Sequence, residues 1–77
     1  MVTTTVDDAV IEARVRRALA MRGEQLRISR PGSREEAEFG RYWTADIRTG
    51  NPERWPLDLD DLARETGVMR PGERMTG

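Results

Sequence analysis

The stretch that decides how the chain closes on itself is residues 57–68, which read Leu-Asp-Leu-Asp-Asp-Leu-Ala-Arg-Glu-Thr-Gly-Val. Asp58 stands where an N-cap residue belongs, just before an apolar repeat of helical spacing. Leu57 precedes that cap and is placed to pack on Leu62, the arrangement known as a hydrophobic staple. Gly67 supplies the left-handed residue that commonly ends a helix. The stretch therefore predicts a short C-terminal helix with an acidic exposed face.

Upstream of this helix, the sequence predicts a β-hairpin. Residues 41–48 are rich in aromatic and β-branched side chains and form the strongest strand pattern in the chain. Alternation places Trp43, Ala45 and Ile47 on one face, with Tyr42, Thr44 and Asp46 on the other. Residues 49–52 carry a turn signal, and residues 54–57 return antiparallel. Because Pro56 cannot donate to a ladder, the returning strand should be short and lie at an edge.

The N-terminal half predicts a long helix, a strand and one further helical turn. Thr5 and Asp8 match a capping box, and Gly23 is a natural stop, so the helix is expected over residues 6–22. Its apolar face comprises Val10, Ile11, Val15, Ala18, Leu19 and Met21. Residues 26–29 alternate as a strand does, and residues 33–39 repeat the capping-box pattern.

These elements predict an α+β fold, a small two-layer sandwich. The long N-terminal helix packs on a three-stranded antiparallel sheet, and the short C-terminal helix closes the structure. One sheet face is expected to bury Leu26, Ile28, Trp43 and Ile47 against the first helix, and Trp55 is expected in the core. Residues 1–77 form a single domain with an ordered core of about 6–69 and an irregular tail, 70–77.

The composition excludes several kinds of chemistry. The chain contains neither Cys nor His, so disulfides, thiolate ligands, zinc sites and nucleophilic triads are not expected. The acidic clusters are explained by helix N-termini, where carboxylates are favoured, rather than by catalysis. We therefore expect no enzyme activity, no cofactor and no metal. A domain this small sometimes completes its core by pairing, so a homodimer is one expectation.

The N-terminus and the hydropathy predict a cytoplasmic protein. No run of 18 apolar residues is present, and residues 1–5 lack the basic start and apolar core of a secretion signal. No contact with a membrane is expected.

The charge is unevenly distributed, which bears on the choice of partner. Residues 1–34 hold seven arginines against four acids, and residues 35–77 hold six against ten. The arginine-rich half allows a DNA-binding regulator as an alternative function. However, the pI of about 5.4 does not favour direct nucleic-acid binding. Residues 62–68 match the first helix and turn of a helix-turn-helix, but Pro71 and Gly72 interrupt the segment that should form the recognition helix.

The whole chain resembles a group of small proteins encoded by prophages and mobile elements. Three segments carry the resemblance: Arg17–Arg27, Gly40–Asp46 and Asp58–Val68, the last followed by Pro71 and Glu73. In size and style the chain also resembles anti-CRISPR proteins, which share no common motif. The resemblance implies an inhibitor that occupies a surface of a CRISPR–Cas effector in the bacterial host, and it assigns no functional residue.

The expected function is therefore inhibition by binding a host protein complex. A dense set of carboxylates is suited to the positive groove with which such complexes hold nucleic acid. Tyr42 is a candidate aromatic anchor beside them, and Trp55 is a second candidate if it is exposed rather than in the core. The predicted partner-binding residues are Glu35, Glu36, Glu38, Tyr42, Asp58, Asp60, Asp61 and Glu65.

Overall fold

The computed structural model describes residues 4–75 and confirms the α+β fold. A three-stranded antiparallel sheet is covered by an N-terminal and a short C-terminal helix. In chain order the elements are β1 (Thr4–Val6), α1 (Asp8–Ala20), β2 (Glu24–Ile28), α2 (Arg34–Phe39), β3 (Tyr42–Asp46), β4 (Pro52–Leu57), α3 (Leu59–Thr66) and β5 (Glu73–Met75).

The three-stranded sheet has the order β2-β3-β4, so the predicted hairpin is present. In β2 and β3, Leu26 lies opposite Thr44 and Ile28 opposite Tyr42. Strand β4 lies at an edge, as predicted from Pro56, although it begins earlier than expected, at Pro52. The Trp55–Pro56 peptide bond is cis.

The main core lies between the sheet and the two helices α1 and α3. Its buried members are Val6, Ile11, Val15, Leu19, Leu26, Leu59, Leu62 and Ala63. Two residues predicted for the apolar face of α1 are instead exposed, Val10 to 42% and Met21 to 91%. The buried stripe of α1 is therefore narrower than the apolar pattern of its sequence.

The prediction of which sheet face meets α1 was wrong for Trp43. The Tyr42 hydroxyl reaches Glu12 on α1, so Tyr42 and Thr44 share the α1 side of the sheet. Trp43 points to the opposite face, where its ring stacks on Phe39 of α2 at 4.5 Å between centroids. The sheet thus has a second, smaller apolar layer beneath α2.

Two further expectations about aliphatic and aromatic burial were also wrong. Ile47 lies beyond the end of β3 and is 49% exposed. The strand ends at Asp46 because its carboxylate accepts the N–H groups of Arg48 and Thr49, which turns the chain. Trp55 is 48% exposed, and its ring stands nearly perpendicular to that of Phe39, at 5.2 Å between centroids.

The two ends of the described chain differ most from the sequence prediction. Residues 4–6 extend as β1 rather than entering α1, and the predicted irregular tail contains β5. The two strands pair in parallel, with Thr4 opposite Glu73 and Val6 opposite Met75. The helix begins at Asp8, and its N-cap, Asp7, makes no side-chain capping bond.

The helix ends of α2 and α3 are as predicted. Ser33 caps α2 by accepting the N–H of Glu36, and Asp58 caps α3 by accepting the N–H of Asp60. Gly67 ends α3 in the left-handed region with φ of 69°. The well-capped helix α3 is therefore held in a defined position, with its acidic turn at the surface.

Candidate partner-binding surface

The predicted carboxylates fall into two groups on opposite sides of the sheet. Helix α3 packs with α1 on the inner side, whereas α2 covers Trp43 on the outer side. The α3 group comprises Asp58, Asp60, Asp61 and Glu65, and the α2 group comprises Glu35, Glu36 and Glu38. A single flat partner surface cannot contact both groups in full.

The α3 group borders a groove with an apolar floor, which we call the acidic groove. It has a volume of about 280 Å³ and is lined by Pro56, Leu57, Asp58, Asp61, Leu62 and Glu65. The three carboxylates come together because positions 58, 61 and 65 are spaced by three and four on α3 and its cap. Asp60 is exposed but does not line this groove.

One end of the acidic groove is neutralised by internal ion pairs. Arg54 donates to both carboxylate oxygens of Glu65, at 2.9 and 3.0 Å, and to Glu24 at 3.0 Å. Arg22 approaches Glu65 at 3.4 Å. The hydrogen-bonded Arg54 guanidinium holds the pKa of the Glu65 carboxyl below its usual range. Glu65 is thus held in place as one wall of the groove, and its negative charge is largely neutralised by Arg54 and Arg22.

The other end of the acidic groove keeps its negative charge. The Asp58 carboxylate accepts the N–H of Asp60 at 2.9 Å and remains exposed. Asp61 faces Arg64 at 3.9 Å, but both side chains are more than 70% exposed, so solvent screens this pair. Among the described residues, Asp58 and Asp60 make no salt bridge. Three carboxylates therefore remain available at the start of α3.

The α2 group is largely committed to the fold. Glu35 accepts the indole N–H of Trp43 at 3.2 Å, and Glu36 accepts the backbone N–H of Gly32 at 2.9 Å. Glu38 is exposed. Of this predicted group, only the carboxylate of Glu38 makes no hydrogen bond or salt bridge to another described residue.

Tyr42 is half-buried beneath α1 rather than presented as an anchor. Its hydroxyl donates to Glu12 Oε2 at 2.8 Å. Burial, and after it the hydrogen bond to Glu12, raises the pKa of the Tyr42 hydroxyl. The aromatic ring most open to a partner on the outer face is Trp55.

The arginines of the N-terminal half do not form one continuous basic surface. Arg14 binds Glu73, Arg22 approaches Glu65, and Arg27 lies over the Trp43 ring at 5.5 Å. Arg16 and Arg27 do line a shallow cleft of about 260 Å³ along β2. The basic area is therefore smaller than the arginine count indicates.

Sequence reasoning identified the carboxylates of the acidic groove but not its floor as part of a site. Leu57 was predicted to pack on Leu62 as a staple; Leu62 is buried, so Leu57 and Pro56 supply the apolar surface that a ligand would contact. Within residues 4–75 no group of three or more acidic side chains is arranged to hold a metal ion. None of the helices in the described part of the chain has the length and apolar character needed to cross a bilayer.

Comparison with protein-family models, with curated proteins and with solved structures gives no match for this chain.

Proposed function

We propose that this protein is an inhibitor, encoded by a phage or other mobile element, that binds a basic surface of a host protein complex. The specific target we propose is a CRISPR–Cas effector in the bacterial cytoplasm. It acts by occupying a surface, without catalysis. The observation that supports this proposal is the acidic groove, where exposed carboxylates stand beside an apolar floor.

The groove has the chemistry required to hold a protruding basic side chain. The aliphatic stem of an arginine or lysine packs on Pro56 and Leu57, as such stems do on apolar surfaces. Its charged head then meets Asp58 and Asp61, and a charge-assisted bond of this kind is stronger than a neutral one. Glu65, held by Arg54, forms the far wall.

Effector complexes offer many such basic side chains. They hold guide–target duplexes in positively charged channels and contact the phosphate backbone of the duplex rather than its base sequence. A small acidic domain in such a channel competes with phosphates for the same arginines and lysines. Carboxylate complementarity of this kind accelerates association and selects the partner.

The test is binding to purified effector complexes of several CRISPR types, measured by biolayer interferometry, together with a plaque assay. We expect one complex to bind and phage to be rescued from the matching immunity. The double variant Asp58→Asn/Asp61→Asn should weaken binding roughly tenfold, about 1.4 kcal/mol. The control is Glu53→Gln, an exposed glutamate on β4 outside the groove. Absence of binding and of rescue across all types rejects the proposal.

The alternative function is a small DNA-binding regulator, and the cleft between Arg16 and Arg27 favours it. Fluorescence anisotropy with a labelled duplex at low salt tests this alternative, since phosphate contacts are strongest there. Salt-sensitive binding that Arg16→Glu/Arg27→Glu abolishes would replace the inhibitor proposal. No association at low salt eliminates the regulator.

A further inference from the structure

A second groove, larger than the acidic groove, lies between α1 and the segment that follows α3. Its volume is about 590 Å³, within the range of ligand sites in proteins. We call it the basic groove. It is lined by Ala9, Val10, Ala13, Arg14, Arg17, Val68 and Arg70.

The floor of the basic groove is apolar and open to solvent. Ala9 and Ala13 are one helical turn apart on α1, and their small side chains leave room for another element to approach. Val10 is 42% exposed beside them, and Val68 closes the floor from the other side. An apolar floor beside a few charged groups is the composition found in ligand-binding grooves.

One wall of the basic groove is built by a fixed arginine. The Arg14 guanidinium donates to the Val68 carbonyl at 3.3 Å and to both oxygens of Glu73, at 2.7 and 3.2 Å. Glu73 also accepts the backbone N–H of Arg70 at 2.8 Å. This network positions Val68 and Arg70 against α1, so the shape of the groove is preformed.

The rim of the basic groove carries net positive charge. Glu73 forms a salt bridge with Arg14 and also attracts Arg70 at longer range, so one carboxylate serves two arginines, and the exposed Arg17 forms no salt bridge with a described residue. Within residues 4–75, no acidic side chain lines the groove. Its occupant should therefore combine apolar side chains with carboxylates.

A second copy of the chain does not satisfy this requirement through the same face. The groove itself carries Arg17 and Arg70, so two such faces would bring these positive charges together. Like-charge juxtaposition is unfavourable at an interface. An acidic partner is the better complement.

We propose that the basic groove binds an acidic amphipathic helix of a partner protein. The stretch from Ala9 to Arg17 is nine residues and spans about 12 Å of helix, which matches roughly two turns of a partner. Apolar side chains at spacings of three and four would lie over Ala9, Val10 and Ala13, the helix-in-groove mode of recognition. Carboxylates flanking them would meet Arg17 and Arg70. This inference does not depend on the proposed inhibitor function.

The probe is a displayed library of helical peptides, varied at apolar and charged positions, selected on the full chain. Enriched peptides should carry net negative charge, and in NMR titrations they should shift the amides of Val10, Ala13 and Val68. Arg17→Glu/Arg70→Glu should weaken their binding at least tenfold, and Ala13→Trp should do the same by filling the groove.

The matched control is Arg30→Glu/Arg34→Glu, an equal charge reversal at exposed positions on the other side of the sheet. It should change affinity less than twofold, and circular dichroism confirms that each variant is folded. The inference is overturned by a failure to enrich peptides, by enriched peptides that are basic, by shifts outside the groove, or by an equal loss in the control. Two other results overturn it as well: concentration-dependent shifts of the groove without peptide, which identify a second copy as the occupant, and preferential shifts with a duplex oligonucleotide.

Discussion

Arg14 and Glu73 form a two-point ion pair that joins α1 to the last strand across 59 positions of sequence. Both side chains are mostly covered, with 20% and 11% of their side-chain area exposed. The hydrogen bond from Arg14, followed by that from the Arg70 N–H, lowers the pKa of the Glu73 carboxyl. The pair therefore links the stability of the chain ends to pH.

The first prediction concerns this dependence on pH. A carboxyl whose pKa is lowered in the folded state contributes stability above its ordinary pKa of 4.5 and loses it as pH falls through the folded value. Glu65 and Asp46, whose pKa values are also lowered, lose their contributions in the same acidic range. Glu73→Gln should therefore reduce the free energy of unfolding at pH 7 and flatten its decline below pH 4.5. Urea titrations across this range, with Glu53→Gln as control, measure the difference; an unchanged acid slope would contradict the prediction.

The second prediction separates the two roles of Asp58. As the N-cap of α3 it accepts the N–H of Asp60, and as a wall of the acidic groove it supplies charge. Asp58→Ala should cost about 1 kcal/mol of unfolding free energy, whereas Asp58→Asn retains the cap and should cost about 0.5 kcal/mol or less. Chemical denaturation of both variants checks this. Equal losses would mean that the cap bond does not stabilise the helix.

The third prediction concerns the buried hydroxyl of Thr44. This side chain is fully buried opposite Leu26, and its hydroxyl makes no hydrogen bond within the described residues. Thr44→Val removes an unsatisfied polar group at nearly constant shape and should raise the free energy of unfolding by about 1 kcal/mol. Thr44→Ser keeps the hydroxyl but loses a methyl group, so it should lower it by about 1 kcal/mol. Thermal and urea unfolding measure the sign of the change in unfolding free energy for each variant. A destabilised Thr44→Val would show that the hydroxyl is hydrogen-bonded in solution.

The fourth prediction compares two glycines that both have positive φ. Gly40 has φ of 83° and Gly50 has φ of 78°, so alanine is strained at either position. A Cβ at Gly40 would also lie 2.9 Å from Pro56 Cβ, whereas one at Gly50 would meet nothing within 4 Å. Gly50→Ala should cost about 1–2 kcal/mol from backbone strain, and Gly40→Ala about 1–3 kcal/mol more from the clash. Similar unfolding free energies for the two variants would show that β4 shifts at Pro56 to accommodate the added Cβ.

Sequence reasoning succeeded where the signal was local. The caps at Ser33 and Asp58 and the stop at Gly67 depend on residues within one helical turn, so the ends of α2 and α3 were predictable. The hairpin followed from one strong strand, a turn and the inability of Pro56 to donate in a ladder. The carboxylates around α3 followed from the same local spacing.

The errors occurred where contacts distant in sequence decide the structure. Thr5 fits a capping box, yet the segment containing Val6 pairs with β5, so α1 begins later. A strand of three residues such as β5 carries no periodicity of its own and is defined only by its partner. Trp43 was assigned to the wrong face because alternation separates the two faces without identifying which one α1 covers. The internal partners of Glu35 and Glu65 likewise come from other elements.

The parallel pairing of β1 with β5 places the closure of the chain beside the basic groove. Arg14 and Val68 line that groove, and Glu73 of β5 holds Arg14 in place, so detachment of β5 would remove the bond that fixes the wall. Local opening at the chain ends and ligand release are then one linked equilibrium. An occupant of the groove should slow hydrogen exchange at Glu73, Arg74 and Met75. None of these three residues lines the groove. The amide protons of β5 would thus report occupancy of a site formed largely by α1.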